Sequence, residues 1–260
     1  MYNTAMKNFR LHALPLLLAL FLLPASASCE TRADSQGQVA PPKSILFAGN
    51  SFTFYNNAIY THLRKLLVAD DPSTREEIFL KSMTISGAVL ADHRGGLQQM
   101  LENRAYDVVV LQGHSREAIE PGMQAAFQAA LEELSGKVRA RGAEPVLFMT
   151  WAYADRPEMT AKLVSAYTRL GEKFEMKVVP VGLAFEAASQ RLEGVVLHDP
   201  DKVHPSLAGT YLAAGVFYSA LYGKSPLELE YDAGLDKELA RGLRQVAWQT
   251  VRDFGRETTR

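Results

Sequence analysis

Cys29 is the only cysteine in the chain, so no disulfide can form within it. Neither sign of charge dominates either: 28 Lys and Arg stand against 29 Asp and Glu, a net charge of -1. That balance lacks the basic face a nucleic-acid partner normally requires, and nucleic acid is set aside. No apolar run reaches the roughly 20 residues that cross a bilayer. There is no internal repeat that would point to a solenoid. What is there is an ordinary globular composition, 47% hydrophobic and 22% charged, sufficient to bury a full core.

The first residues read as a targeting segment. Lys7 and Arg10 precede the apolar run "ALPLLLALFLLPA", which gives way to the small residues "SAS" and then Cys29, the order of a secretory signal over residues 1–29. Two processing routes fit. The Cys position resembles a bacterial lipobox, whose Cys is acylated and becomes the new N-terminus, whereas Ala25-Ser26-Ala27 would serve an ordinary signal peptidase. The expectation is an exported bacterial protein, either secreted or held in the periplasm or at the outer membrane through a lipidated Cys29. Residues 30–42, "ETRADSQGQVAPP" and its flank, are polar and without apolar period, as in a linker. A single domain is expected over residues 43–260.

Within that domain, short β-branched runs alternate with helical patterns. "SILFAG" (44–49), "EIFLKSMTI" (77–85), "DVVVLQG" (107–113), "EPVLFMTW" (144–151) and "MKVVPVG" (176–182) read as strands. Helices are expected over 57–69, 93–104, 119–141, 157–175, 206–222 and 234–256. Strands alternating with helices predict an α/β fold, a three-layer α/β/α sandwich with a five-stranded parallel sheet. In such sheets ligands bind beyond the C-terminal strand ends, which directs attention to the residues just after each strand.

After the first of these strands comes "GNSFTFYNN". A serine at a strand-to-helix turn meets the free N–H groups and the dipole of the helix it opens, both of which stabilise negative charge. Ser51 is therefore a candidate nucleophile, the competing account being a plain helix N-cap. A serine nucleophile needs a base, and the base needs an orienting group. The loop "HDPDKVHPS" offers Asp201 and His204, three residues apart, a spacing that lets a tight turn bring carboxylate to imidazole. The same loop supports a rival reading, a metal-dependent hydrolase drawing on His198, Asp199, Asp201 and His204. A second rival keeps the scaffold without the chemistry, as a non-catalytic glycan-binding protein.

Taken together, "ILFAGNSFT", the Gly in "ISGAVL", the polar end of "VVVLQGHS" and "DKVHPSLAGTYLAA" resemble the four blocks of the SGNH, or GDSL-type, hydrolases, and more closely a largely uncharacterised bacterial subgroup with a GNSFT first block. The resemblance implies a flavodoxin-like sandwich and an ester hydrolase working through an acyl-serine intermediate without cofactor or metal. It implies Ser51 as nucleophile, His204 as base and Asp201 as its orienter. It also implies an oxyanion hole built from the N–H groups of Ser51 and Gly87 and a third-block donor. The substrate expected is a small-molecule or glycan ester, probed first with short acyl chains and acetylated carbohydrates. Two departures stand out. Asn50 replaces the Asp of the usual Gly-Asp-Ser, and the third block reads Gln112-Gly113-His114-Ser115 where Gly-x-Asn is usual. Gln112 is taken as the carboxamide donor, with Ser115 as the competing donor. Asn50, His93, His114 and Trp151 border the expected pocket and are candidate substrate contacts, packing being the alternative for each.

Overall fold

A computed structural model describes residues 40–258, together with Met1. The signal stretch, Cys29 and most of the linker lie outside the described residues.

Five strands, β1 (Ser44–Gly49), β2 (Phe79–Thr84), β3 (Val108–Leu111), β4 (Glu144–Phe148) and β5 (Lys177–Val179), form one sheet in the order β2-β1-β3-β4-β5. Every pairing is parallel, as the alternating pattern predicts. This is the flavodoxin-like strand order, in which the reversal of direction falls between β1 and β3. Ser51 and Gln112 follow those two strands and so meet at the switch point.

Both faces of the sheet are apolar, and the strand period of two sorts them. Ile45, Phe47, Val108, Val110, Val146 and Phe148 pack on one side with helices α2 (Ile59–Asp70), α6 (Val181–Arg191), α7 (Leu207–Tyr222) and α8 (Lys237–Thr258). Leu46, Ala48, Val109, Leu111 and Leu147 pack on the other, with α3 (Arg94–Asn103), α4 (Gln124–Arg139) and α5 (Met159–Lys173). The result is the three-layer α/β/α sandwich. Helix α7 is buried almost throughout from Ala208 to Ser219, which explains why its sequence is apolar all round rather than striped.

Two elements differ from the sequence expectation. The last strand ends at Val179 because Pro180 cannot donate to the ladder; α6 begins immediately after it, where the apolar pattern of residues 176–182 predicts continued strand. Gly182 sits so close to β4 that a Cβ there would lie 2.2 Å from the Thr150 carbonyl oxygen. The second difference is at the front of α2. A one-turn helix α1 (Ser51–Phe54) follows β1, and Asn56, Asn57 and Ala58 all take positive φ before α2 starts at Ile59.

Candidate active site

The nucleophile block is held by amides. Asn50, not Ser51, caps α1: its Oδ1 accepts from the Phe52 N–H at 3.1 Å. The Asn50 Nδ2 donates to the carbonyls of Ala88 (3.0 Å) and Gly113 (3.4 Å), tying the segments after β1, β2 and β3 together. Gln112 completes the hub. Its Oε1 accepts from the Asn50 N–H (3.0 Å) and the Thr53 hydroxyl (2.8 Å), while its Nε2 donates to Asn50 Oδ1 (2.7 Å) and the Gly113 carbonyl (2.6 Å). Gly49 is what lets the hub close, since a Cβ there would stand 2.4 Å from Gln112 Oε1.

With capping duty given to Asn50, the Ser51 hydroxyl is free for another partner, and that partner is His204: Nε2 and Oγ are 3.0 Å apart. The ring's Nδ1 meets Asp201 Oδ2 at 2.5 Å. The sequence reason lies in a tight turn. Asp201 Oδ1 accepts from the backbone N–H groups of Val203 and His204, both at 2.9 Å, which fixes the carboxylate beneath the ring. The His204 ring N–H, followed by those backbone donors, holds the Asp201 carboxyl down at about 2. It is therefore ionised over the whole neutral range, and an anion beside Nδ1 selects the tautomer that leaves Nε2 as acceptor for the serine proton.

The loop carrying this pair is closed on itself. His198 and Pro205 form an antiparallel bridge, Asp199 N–H donates to the His204 carbonyl (2.8 Å), and Lys202 takes φ 66° at the corner. Trp151 braces it from below. The indole Nε1–H donates to the Val203 carbonyl (3.1 Å), and the ring is stacked between Phe52 and Phe185 at 4.1 and 4.3 Å.

The oxyanion donors expected at Ser51 and Gly87 are backbone groups. Ser51 N–H is the first of α1, where helix geometry supplies no intrahelical acceptor. Gly87 occupies the turn after β2 with φ 67°, a left-handed value that glycine adopts without strain, next to the Ala88 carbonyl that Asn50 holds. Neither N–H has a hydrogen-bond partner among the described residues.

Four expectations need correction. Both N–H donors of Gln112 are spent inside the hub and the residue has 0% exposure, so it is a structural tie and not an oxyanion donor. Asn50 is equally engaged and buried, and does not face substrate. Trp151 is enclosed in its aromatic stack and offers no face to a sugar. His93 is wholly buried as well, with no exposed surface to meet a substrate, and its two ring nitrogens are without partners among the described residues. Burial lowers its pKa, so the ring is neutral.

Ser115 and His114 stand differently. The Ser115 hydroxyl is 2.8 Å from the Tyr153 hydroxyl, a pairing that still leaves one O–H of the two able to donate elsewhere. His114 is half-buried, with its pKa lowered first by desolvation and then by Arg116. His198 does not turn toward His204: its Nε2–H donates to the Ala152 carbonyl (3.0 Å). No group of three His, Cys, Asp or Glu side chains is arranged to hold a metal among the described residues.

Three contributors escaped the sequence reading. Glu117, buried and with a pKa raised by desolvation, accepts from Leu90 N–H (3.0 Å) and His114 N–H (2.8 Å), joining the segments after β2 and β3. Tyr153 partners Ser115. Tyr55 lies flat on the His204 ring, with centroids 4.3 Å apart and planes within 9°. The Asn56-Asn57 pair was the available signal for the turn that carries Tyr55, since Asn is the non-glycine residue that best tolerates left-handed φ.

The hub sets up a stability prediction. Gln112→Ala removes four buried hydrogen bonds and strands their partners, and is expected to cost about 2–5 kcal/mol in urea denaturation. A variant as stable as wild type with a lowered kcat would instead return Gln112 to the oxyanion hole.

No protein-family model matches the chain, and no curated protein does. Solved structures do. A DUF4886 family protein from Bacteroides uniformis aligns over 80% of this chain and 94% of its own, with 21% identity and a TM-score of 0.68. A protein from Slackia heliotrinireducens, provisionally assigned as an SGNH hydrolase, aligns over 68% and 97%, with 28% identity and a TM-score of 0.57. A catalytic mutant of Axe2, an acetylxylan esterase from Geobacillus stearothermophilus, aligns over 69% and 94%, with 17% identity and a TM-score of 0.57. The class is thus that of an ester-hydrolase fold with a Ser-His-Asp array at its switch point. Within that class the chain falls in the SGNH-type superfamily.

Proposed function

We propose that this protein is an exported serine esterase that hydrolyses a short O-acyl ester, on a carbohydrate by preference. The observation that carries the reading is the continuous chain from Ser51 Oγ through the His204 ring to Asp201. In the reaction, Ser51 Oγ bonds to the acyl carbon as its proton passes to His204 Nε2. The negative oxygen so formed is met by the N–H groups of Ser51 and Gly87, with the Ser115–Tyr153 hydroxyl pair as the candidate side-chain donor. The C–O bond to the alcohol then breaks, and the alcohol leaves with the proton from His204. Water, activated by the same ring, releases the acid and restores Ser51.

Carbohydrate as the alcohol component draws support from the acetylxylan esterase among the structural neighbours. Export draws support from residues 1–29 and attachment to a membrane from Cys29. The test is a panel of acyl esters and acetylated glycans, assayed with and without chelator, alongside a fluorophosphonate probe whose adduct is mapped by peptide mass spectrometry. Turnover of acetyl esters, indifference to chelator and an adduct on Ser51 are expected. An adduct-free protein whose turnover is abolished by chelator would replace this reading with the metal-dependent one. Intact mass of the protein isolated from cells decides the anchor: a diacylated or triacylated Cys29 terminus supports it, an unmodified terminus removes it.

A further inference from the structure

We propose that Tyr55 is a positioning residue for the catalytic base, pressed onto the His204 ring by a strained three-residue corner that clamps the base-bearing loop to the nucleophile helix. The inference rests on the serine-esterase reading and adds a part to it.

Three observations converge. The Tyr55 and His204 rings are stacked, 4.3 Å between centroids and 9° between planes, while Phe52 meets the imidazole edge-on from 6.1 Å. Hydrogen bonds to Asp201 and Ser51 meet the ring in its own plane, at its two nitrogens. A flat partner on one face adds a contact perpendicular to that plane and resists tilting of the ring out of it. It also presents a π surface to a ring that becomes cationic during each turnover, an attraction that strengthens as the charge develops.

The second observation is the link from Tyr55 onward. Asn56 Nδ2 donates to the Pro205 carbonyl (2.8 Å), one residue past His204, and to the Thr210 hydroxyl (3.0 Å) at the start of α7. The Asn56 carbonyl in turn accepts from His62 Nε2–H (2.7 Å). A carbonyl only accepts, so that nitrogen carries the proton and His62 Nδ1 accepts from the Tyr231 hydroxyl (2.7 Å). Burial lowers the His62 pKa and keeps the ring in the neutral form that this double role requires.

The third is the backbone itself. Asn56, Asn57 and Ala58 have φ of 50°, 67° and 66° in succession, and Ala58 combines its value with ψ 143°, a region essentially reserved for glycine. A buried alanine holds such a conformation only where surrounding contacts over-determine it. Here the Ala58 N–H donates to the Tyr55 carbonyl (2.9 Å), closing the corner that the Asn56 side chain ties to the Pro205 carbonyl. Strain here is spent on carrying the chain sharply from α1 across His204 and back into α2.

The test compares Tyr55→Phe, Tyr55→Leu and Asn56→Asp with wild type for kcat and KM on a short acyl ester, rate of Ser51 modification by a fluorophosphonate, and thermal midpoint. Tyr55→Leu keeps bulk but loses the flat face, and kcat is expected to fall about 10²-fold with KM within roughly two-fold of wild type. Tyr55→Phe restores the face, and kcat is expected to return to within about three-fold. Asn56→Asp removes the donors to the Pro205 carbonyl and the Thr210 hydroxyl, and about a ten-fold loss in kcat is expected. Tyr55→Leu with wild-type kcat, or with KM raised and kcat kept, overturns the proposal, the latter because the ring would then be touching substrate. If Tyr55→Leu does not fold, Asn56→Asp decides alone, and an unchanged kcat there overturns the clamp. Failure of the underlying reading looks different: wild type itself would give no adduct at Ser51.

Discussion

Replacing Ser51 with alanine is expected to lower kcat on any acyl ester by about 10⁶-fold, the scale on which loss of a serine nucleophile is felt when its triad acts as a unit. Fluorophosphonate labelling should vanish with it. The fold should not suffer, because Ser51 is not the helix cap. Asn50 fills that role, and among the described residues the side-chain partner of the Ser51 hydroxyl is His204. A thermal midpoint within a degree or two of wild type, about 0.5 kcal/mol, is therefore part of the expectation. A well-folded Ser51→Ala protein with full turnover would sink the serine mechanism. A variant that loses activity only because it loses the fold would show instead that the hydroxyl is structural.

The second large effect is expected from Asp201→Asn, with kcat lowered by about 10⁴-fold at nearly constant KM. The tight turn explains why the loss should be clean. An asparagine oxygen at 201 can still accept from the Val203 and His204 backbone donors that now bind Oδ1, so the loop keeps its shape. Its NH2 group then faces Nδ1, where a carboxylate oxygen stood. Nδ1 must accept, the proton moves to Nε2, and His204 offers Ser51 a donor where an acceptor is needed. No carboxylate then remains against Nδ1 to steady the imidazolium. Retention of more than about a tenth of kcat would mean that His204 is oriented chiefly by other contacts, and the Tyr55 stack would carry that burden.

Much of this was legible beforehand, for identifiable reasons. Four of the five strands are apolar on both faces, and that density of Val, Leu, Ile and Phe marks a doubly covered parallel sheet. Asp201 and His204 could be paired because their contact is local, made within one turn. Ser51 could be singled out because a strand-to-helix junction has a fixed chemistry. Helix α6 could not, since "VGLAFEAASQR" continues the apolar run of a three-residue strand and only the Pro180 between them separates the two. Gln112 was misassigned because a carboxamide carries the same groups whether it faces a substrate or a neighbouring amide. Its rotamer decides, and a sequence does not contain it. Tyr55 was invisible for a related reason: its contact lies 149 positions away, and an aromatic in a turn follows no period.

The amide hub also bears on how this site could have changed over time. Asn50 Nδ2 points at two carbonyl oxygens, those of Ala88 and Gly113, and Gln112 returns a reciprocal pair of bonds to the same residue. An aspartate at position 50 would set carboxylate oxygen against both carbonyls, so the Gly-Asp-Ser spelling is not reachable from here by exchanging one residue. The segments after β2 and β3 would have to turn as well. The unusual amide beside the serine and the unusual amide after the third strand thus form one reciprocal unit, in which exchanging either alone strands the other's hydrogen-bonding groups.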